Sequence, residues 1–412
     1  MRSATVLLLL VLTAVALAEQ VSYRNYKVYQ TEITEHKQQA LLKRWENLDG
    51  VDFWEGNGRR IMIEPRLQKK FELYLQAHKI PHKIIIEDVE ETIEAERKYD
   101  QEYRRTHADL GRSTISFDNF WTLDEIHDYL DELAAEYPSL ATVENIGTTE
   151  EGRVMKAITI STTNGVVSGT KPVIFIDAGI HAREWAAIMS ALYLIHELVE
   201  HSDEYPDMLA NDWVIIPAAN PDGYEYSHTT NRLWRKNRFP VTVLCSGVDL
   251  NRNWDYQWAY TSNACSDTYA GAEGNSEAET RALVALMQRY SANLRLYLAV
   301  HTYGNLILYP FGYTMPFVPV SNADEHIAMG QKAAAAVTAV GGPTFTVGNS
   351  AEILYSATGA SDDYAAGAAG FTYAFTLELT GGGSNGFDLP ASQIMAVASQ
   401  TFEIFRSLAG DI

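Results

Sequence analysis

Four polar side chains stand beside apolar runs of the sequence and could together hold and use a metal ion. His181 and Glu184 follow directly after VIFIDA, a run typical of a strand buried on both faces. His301 ends a second apolar run, LYLAVH, and Glu378 lies near the end of a third, FTYAFTLEL. Two imidazoles plus one carboxylate are the usual protein ligands of a catalytic zinc ion, with a fourth position left for water. The pattern therefore indicates one zinc ion on His181, Glu184 and His301.

Each of these residues, taken alone, also fits an ordinary structural role. A hydrogen-bonded core histidine beside a solvated glutamate gives the same His-x-x-Glu pattern. The long separation of Glu184 and His301 excludes the HExxH arrangement, in which both histidines lie on one helical turn. A charge at Glu378 is costly inside an apolar run unless it has a partner or a function.

The elements that would position these residues alternate between strand and helix from residue 113 to residue 412. The apolar runs predict strands, and the amphipathic segments between them predict helices. Predicted strands are Met155–Ile160, Val173–Ala178, Asp212–Pro217, Leu294–His301 and Phe371–Leu379, and predicted helices are Thr122–Tyr137, Ala186–Glu200, Ser276–Ser291 and Ser392–Leu408. This alternation is typical of one α/β domain with a mixed, largely parallel twisted sheet flanked by helices.

A smaller module of different composition precedes this domain. Of the formal net charge of −21, residues 19–112 contribute −1 and residues 113–412 contribute −21, with Arg2 supplying the remaining +1. The small module is predicted to have strands Tyr26–Ile33, Arg60–Ile63 and Ile84–Ile86 and helices Lys37–Asn47, Arg66–Ala77 and Glu87–Arg105. We interpret it as a small α+β domain.

The composition excludes several classes of protein. With 46% hydrophobic residues, the chain is too apolar for disorder. Its acidity disfavours binding to nucleic acid or to anionic membranes and favours basic partners or substrates.

The start of the sequence predicts secretion. Met1 and Arg2 precede an apolar run, Val6–Ala18, that ends in small residues, which is typical of a cleaved signal peptide over residues 1–18. A membrane anchor needs about 20 apolar residues, and this run is shorter. We therefore expect a secreted, extracellular product without a membrane anchor. In that oxidising compartment the two cysteines, Cys245 and Cys265, should form a disulfide.

Basic residues mark the junction between the two modules. Arg104, Arg105 and Arg112 lie at the end of a charged helical segment, where cleavage by a trypsin-like protease would separate the modules. We favour an activation segment there over a plain linker, with all three arginines as candidate cleavage sites.

From about Thr114 onward, the chain resembles the zinc metallocarboxypeptidases of the pancreatic A/B type. The motifs that carry the resemblance are DAGIHAREW, NPDGYEYSHTTNRLWRKNR, GVDLNRNWD, HTYG, ILYSATGASDD, FTLEL and LPASQI. They occur in the family's order through nearly all of the main domain. The small module matches the family's inhibitory propeptide in length and position, so the resemblance implies a zymogen with propeptide 19–112 and catalytic domain 113–412.

The resemblance also implies roles for individual residues. His181, Glu184 and His301 would hold one Zn²⁺, and Glu378 would be the general base that deprotonates the water attacking the scissile carbonyl. Arg235 would stabilise the developing oxyanion. The substrate's terminal carboxylate would be bound by Asn251, Arg252 and Tyr355, and the flanking subsites would be formed by Arg183, Arg232, Thr302 and Tyr303. Cys245 and Cys265 match the family's disulfide positions.

Specificity in this family depends on the residue after the Gly-x-Ser that follows the mobile tyrosine. Members that release Lys and Arg carry Asp there, and members that release apolar residues carry an apolar side chain. This chain has Asp362 at that position, and small, polar Ser350 at another wall of the pocket. Ala360 departs from the family, which commonly has a second glycine there, and should narrow the loop slightly.

The sequence thus predicts a secreted zinc carboxypeptidase zymogen that releases C-terminal Lys or Arg from peptides and acts as a monomer. Apolar A-type specificity is the main alternative, and Asp362 argues against it. An inactive carboxypeptidase-like binding protein would have lost a metal ligand or the base, and an endopeptidase would not need the carboxylate-binding residues.

Overall fold

A computed structural model of the 412-residue chain describes residues 20–33, 35–46, 48–55, 58–107, 115–381 and 386–412. The predicted signal peptide, residues 1–18, and the candidate cleavage residue Arg112 lie outside these ranges. Within them, no helix combines the length and the apolar character needed to cross a bilayer.

An antiparallel four-stranded sheet, in the order β2-β3-β1-β4, organises the N-terminal domain. The strands are β1 (Lys27–Thr31), β2 (Val51–Phe53), β3 (Arg60–Ile63) and β4 (His82–Ile86), and the helices are α1 (His36–Leu42), α2 (Pro65–Ala77) and α3 (Val89–Thr106). Helix α2 begins at Pro65. The N–H of the first helical residue has no acceptor within the helix, so proline, which lacks this group, is well tolerated there. Its Phe71 and Leu75, one turn apart, are buried in one core cluster with Tyr29 of the sheet. The predicted small α+β domain is confirmed.

Helix α3 leads from this domain towards the larger one. It begins after Asp88, whose carboxylate accepts a hydrogen bond from the Glu90 N–H. Near its end, Arg104 donates to Glu125 of the larger domain over 2.6 Å, whereas Arg105 pairs with Glu102 in the same helix. The Arg104 side chain is 34% exposed and that of Arg105 is 71% exposed, so Arg105 is the more accessible of these two candidate cleavage residues.

A mixed eight-stranded sheet, in the order β11-β10-β12-β9-β7-β8-β6-β5, forms the centre of the larger domain. Its strands are β5 (Ala141–Thr148), β6 (Val154–Ile160), β7 (Val173–Ala178), β8 (Asp212–Ile216), β9 (Leu294–Thr302), β10 (Leu306–Tyr309), β11 (Thr346–Asn349) and β12 (Tyr373–Leu379). The four central strands, β12, β9, β7 and β8, are parallel, and antiparallel pairs lie on both sides of them. The predicted fold class is confirmed.

Helices cover both faces of this sheet. They are α4 (Leu123–Glu136), α5 (Trp185–Glu200), α6 (Pro221–Thr229), α7 (Ala278–Arg289), α8 (Ala323–Ala339), α9 (Ser350–Ile353), α10 (Ser361–Tyr364) and α11 (Ile394–Ala409). Because strand side chains alternate between faces, Ile174 and Ile176 of β7 join the core with α4, α5, α8 and α11. Val173 and Phe175 join a second core with α7. Both faces of β7 are therefore apolar, as its continuous apolar sequence predicts.

The parallel strands bring the candidate residues to one edge of the sheet. Strand β7 ends three residues before His181, and Glu378 of β12 is in register with His301 of β9. In open α/β sheets, ligands bind in the crevice beyond the carboxyl ends of the strands. The site lies in that crevice.

Candidate metal centre and substrate cleft

Gly179 turns the chain from β7 back over the sheet edge. Its φ is +68°, and a Cβ at this position would lie 2.6 Å from Ile188 of α5, so a side chain is excluded by conformation and by space. The turn places His181 over the edge and Glu184 at the N-cap of α5.

The three predicted metal ligands converge. Nδ1 of His181 lies 3.1 Å from Nδ1 of His301 and 2.8 Å from Oε1 of Glu184, and Nδ1 of His301 lies 3.0 Å from Oε2 of Glu184. All three side chains are buried. Both imidazole Nδ1 atoms and both Glu184 oxygens thus face a common point, where each could act as a metal ligand. The donor set and its spacing fit a zinc ion.

Asp249 is a buried residue of this centre that sequence reasoning missed. Its Oδ1 lies 3.1 Å from Nε2 of His181, and its Oδ2 accepts two hydrogen bonds from Arg235, at 3.0 and 3.2 Å. Burial opposes ionisation of Asp249, but Arg235 and His181 hold its pKa well below the usual range. A carboxylate on the outer nitrogen of a metal-binding histidine fixes the tautomer and orients the ring. Asp249 therefore orients both His181 and Arg235. Its only signal in the sequence was its place in the GVDLNRNWD motif.

Glu378 lies beside the three candidate ligands. Cross-strand register sets it next to His301, and Glu378 lines the same cleft as Arg235 and Asn251. Burial raises the pKa of the Glu378 carboxyl above its ordinary value. A carboxyl with a raised pKa is better suited to accept a proton than an exposed glutamate.

The three residues predicted to bind a terminal carboxylate lie together on the same cleft. Arg252 donates from Nη2 to the Tyr355 hydroxyl over 2.7 Å and from Nη1 to the Asn251 carbonyl over 2.6 Å. The Asn251 Oδ1 accepts from the Ser361 N–H at 2.9 Å, which anchors that side chain. A planar guanidinium beside an amide and a phenol matches the geometry of a free carboxylate.

Asp362 forms part of the wall of the cleft and is 3% exposed. Its Oδ2 accepts from the Ser350 hydroxyl over 3.2 Å, and its Oδ1 accepts from the Asp363 N–H over 3.0 Å. In the described part of the chain, no Lys or Arg forms an ion pair with Asp362. Burial raises the pKa of the Asp362 carboxyl, since the loss of hydration outweighs its hydrogen bonds and the charge of His301. The neighbouring Asp363 accepts from the Gly312 N–H and is not among the residues lining the cleft.

Two predicted subsite arginines are engaged by the N-terminal domain. Arg183 pairs with Asp52 over 2.5 Å, and Arg232 donates to both oxygens of Glu96, over 2.6 and 3.0 Å. Both arginines are at most 2% exposed.

Thr302 and Tyr303 are the remaining predicted subsite residues, and both line the cleft. The Thr302 N–H donates to Oε2 of Glu184 over 3.3 Å, so its backbone supports a metal ligand. Tyr303 lines the cleft, as its predicted subsite role requires, and is also part of an apolar cluster with Trp54 and Phe387.

Cys245 and Cys265 form the predicted disulfide. It closes the loop between residues 245 and 265.

Comparisons with known proteins agree with this geometry. The profile of the zinc carboxypeptidase family matches residues 126–404, and that of the carboxypeptidase activation peptide matches residues 29–96. The chain is 41% identical to carboxypeptidase B of Astacus astacus over 301 residues, which cover 72% of this chain and 97% of that protein. It is 34% identical to zinc carboxypeptidase A 1 of Anopheles gambiae over 417 residues, which cover 97% and 93%.

Solved carboxypeptidase structures share this fold. The crystal structure of carboxypeptidase A from Helicoverpa armigera superposes with a TM-score of 0.86 at 32% identity, covering 94% of this chain and 98% of that one. Relatives named A and relatives named B both match, so their names leave the substrate preference open. The family profile covers most of the chain, and the chain therefore belongs to the zinc carboxypeptidase family, as a zinc-dependent zymogen with an N-terminal activation peptide.

Proposed function

We propose that the activated enzyme removes C-terminal Lys or Arg from peptides in preference to apolar residues. The observation that carries this proposal is the buried Asp362 carboxylate, which faces the cleft without a cationic partner among the described residues. A Lys or Arg side chain of the substrate would supply that partner. The relative of Astacus astacus named carboxypeptidase B agrees with this preference.

The energetics favour a basic side chain strongly. A hydrogen bond between a guanidinium or ammonium and a carboxylate is worth roughly 1.5–3 kcal/mol. A phenylalanine in the same place would leave Asp362 buried and unpaired, which adds a desolvation cost. Leu308 and Ile353 also line the cleft and would contact the alkyl part of Lys or Arg.

His181, Glu184 and His301 would hold the zinc ion, and the remaining groups of the site would handle the substrate. Zinc, when bound, supplies a Lewis acid that polarises a carbonyl and makes water more acidic. Glu378 would take the proton of the attacking water and return it to the leaving amine. Arg235, held in place by Asp249, would donate to the oxygen that becomes negative as the peptide bond breaks.

Binding of the free carboxylate would make the enzyme an exopeptidase. Asn251, Arg252 and Tyr355 offer donors that a terminal carboxylate accepts and that an internal peptide bond cannot use as well. Arg183, Arg232, Thr302 and Tyr303 would contact the preceding residues of the substrate.

The N-terminal domain would keep the enzyme latent until a trypsin-like protease cuts the chain. Asp52 and Glu96 bind Arg183 and Arg232, so both arginines are unavailable to a peptide in the intact chain. We propose a signal peptide over residues 1–18 and secretion. Cleavage would occur at Arg105 or Arg112 rather than at Arg104, which is less exposed than Arg105 and ion-paired to the larger domain. The catalytic domain would start near residue 113. All described site residues come from one chain, and we propose that the enzyme acts as a monomer.

The test is a substitution that changes the charge of the pocket. The Asp362→Ile variant, activated with trypsin, should cleave Arg-ended peptides at least about 100-fold less efficiently in kcat/KM, while cleavage of Leu-ended peptides is retained or increased. The neighbouring change Asp363→Asn is the matched control and should affect the preference much less. Unchanged selectivity in Asp362→Ile would reject Asp362 as the specificity residue.

A further inference from the structure

The far end of helix α5 carries a second cluster of metal-binding side chains. Glu197 lies in its last turn, His196 directly precedes that turn and His201 is its C-cap. One ligand atom from each residue lies within 4.8 Å of those of the other two. The rings of His196 and His201 are 5.2 Å apart between centroids. We infer that His196, Glu197 and His201 form a second transition-metal site, distinct from the catalytic centre and taking Zn²⁺ or a similar borderline cation.

His196 is already oriented as a metal ligand would be. Its Nδ1 lies 3.0 Å from Oε1 of Glu200, and the hydroxyl of Tyr129 donates to that same oxygen over 3.0 Å. With Nδ1 bound to a carboxylate, the free tautomer presents the lone pair of Nε2, as in carboxylate–histidine–zinc arrangements. The side chain of His196 is 19% exposed and that of His201 is 46% exposed, so an ion from solvent can reach both.

The local electrostatics favour a dication. Glu197 is buried, and its Oε2 accepts a hydrogen bond from the Tyr205 hydroxyl over 2.9 Å. Among the described residues, no Lys or Arg forms an ion pair with Glu197, Glu200 or Glu204. Helix α5 also has no basic residue in its last turn, although two of these carboxylates lie near its negative end. A bound cation would offset both the carboxylate charges and the helix dipole.

The ligand types determine which metals fit. Two imidazoles and one carboxylate suit Zn²⁺, Ni²⁺ and Cu²⁺, whereas Ca²⁺ and Mg²⁺ prefer sites made of oxygen ligands only. Glu184, at the N-cap of the same helix, belongs to the catalytic centre. A 16-residue helix spans roughly 24 Å, so the two metal sites are separate.

Titration calorimetry tests this site on the intact zymogen containing its one catalytic zinc. ZnCl₂ added at pH 7.5 should bind with a stoichiometry of one additional ion per chain, and CaCl₂ should not. His201→Ala and His196→Ala should remove this binding event, and Glu200→Gln should weaken it by about 10- to 100-fold, as loss of a carboxylate behind a metal-binding histidine does. His78→Ala, a histidine of the N-terminal domain, is the control and should bind as the wild type does.

Two further readouts make the outcome decisive. Added zinc should raise the melting temperature of the wild type and not that of His201→Ala. Trypsin-activated His201→Ala should retain wild-type peptidase activity, because the residue is remote from the cleft. Absence of a second zinc in the wild type, or its persistence in both histidine variants, would overturn the inference and leave the catalytic assignment untouched.

Discussion

The Asp52 carboxylate of the N-terminal domain lies against the Arg183 guanidinium of the catalytic domain, with Oδ2 2.5 Å from Nη1 and Oδ1 3.3 Å from Nη2. The Arg183 side chain is 2% exposed and the Asp52 side chain is 12% exposed, so water screens the pair poorly. The propeptide therefore contributes an anion to the cleft at a position that the resemblance assigns to substrate.

Removing this anion should weaken latency. Loss of one partner of a desolvated ion pair across an interface costs about 2–5 kcal/mol. We expect the intact Asp52→Ala zymogen to hydrolyse a short peptide at least roughly 30-fold faster than the intact wild type. Asp49→Ala is the control, because Asp49 is exposed and, among the described residues, its ion pair with Arg66 stays within its own domain. Equal activity of the two variants would show that this pair does not maintain latency.

Glu378→Gln should separate metal binding from turnover. The amide keeps the shape of the side chain but cannot accept the proton, so kcat should fall by about 10²- to 10⁴-fold. Metal analysis of the purified variant should still give one catalytic zinc per chain. A variant that retains wild-type turnover would refute the assignment of the base.

Asp249→Asn should weaken zinc binding, because it removes the carboxylate that orients the metal ligand His181. The amide cannot hold both the His181 ring and the Arg235 guanidinium as the carboxylate does. Competition with a chelator should show zinc affinity reduced by about 10- to 100-fold, together with a lower kcat. The exposed Asp255 offers a matched control in Asp255→Asn, which should change neither quantity. If zinc affinity and kcat are both unaffected in Asp249→Asn, this residue has no positioning role.

Asp388 makes the stability of the zymogen depend on pH. It is 6% exposed, and it lines a cavity beside α3. Neither carboxylate oxygen has a hydrogen-bond partner of normal geometry among the described residues. Burial raises its pKa to about 6. The pKa of Asp388 is higher in the folded than in the unfolded chain, so ionisation of this carboxyl lowers the free energy of unfolding. This loss of stability is absent below about pH 4, grows up to about pH 6 and is complete above that. A shift of this size corresponds to about 3 kcal/mol at neutral pH.

Calorimetry of Asp388→Asn measures this effect. The variant should melt about 2 °C or more above the wild type at pH 7 and at the same temperature as the wild type near pH 4. The exposed Asp203 provides the control variant Asp203→Asn, for which no pH-dependent difference is expected. A constant difference between Asp388→Asn and the wild type at both pH values would contradict the role of ionisation.

The parts of the fold that the sequence predicted are those with strong local patterns. Strand Val173–Ala178 has the predicted bounds, because a strand buried on both faces is continuously apolar. Strand β5 was missed, since it lies at the sheet edge and all but one of its residues are half-buried or exposed. Helix α8 was missed because its alanine-rich sequence has few large apolar residues to define a stripe.

The site residues likewise differ in whether a local sequence pattern marks them. His181, Glu184, His301 and Glu378 could be proposed because each polar side chain stands out beside an apolar run. Asp249 could not, since an aspartate in a polar loop has no distinguishing feature until His181 and Arg235 are placed around it. The contact of Asp52 with Arg183 depends on how two domains pack, and residue types alone do not specify a partner across that distance in the chain.

The central claim is that the protein is a zinc carboxypeptidase selective for basic C-terminal residues. The most direct test is the kcat/KM of the trypsin-activated wild-type enzyme on peptides that differ only in their last residue. The buried carboxylate of Asp362 predicts at least about a 100-fold preference for Arg over Phe, and full loss of both activities on removal of zinc. Equal cleavage of the two peptides, or a preference for Phe, would contradict the assigned specificity, and activity that persists after confirmed loss of the metal would contradict the zinc mechanism.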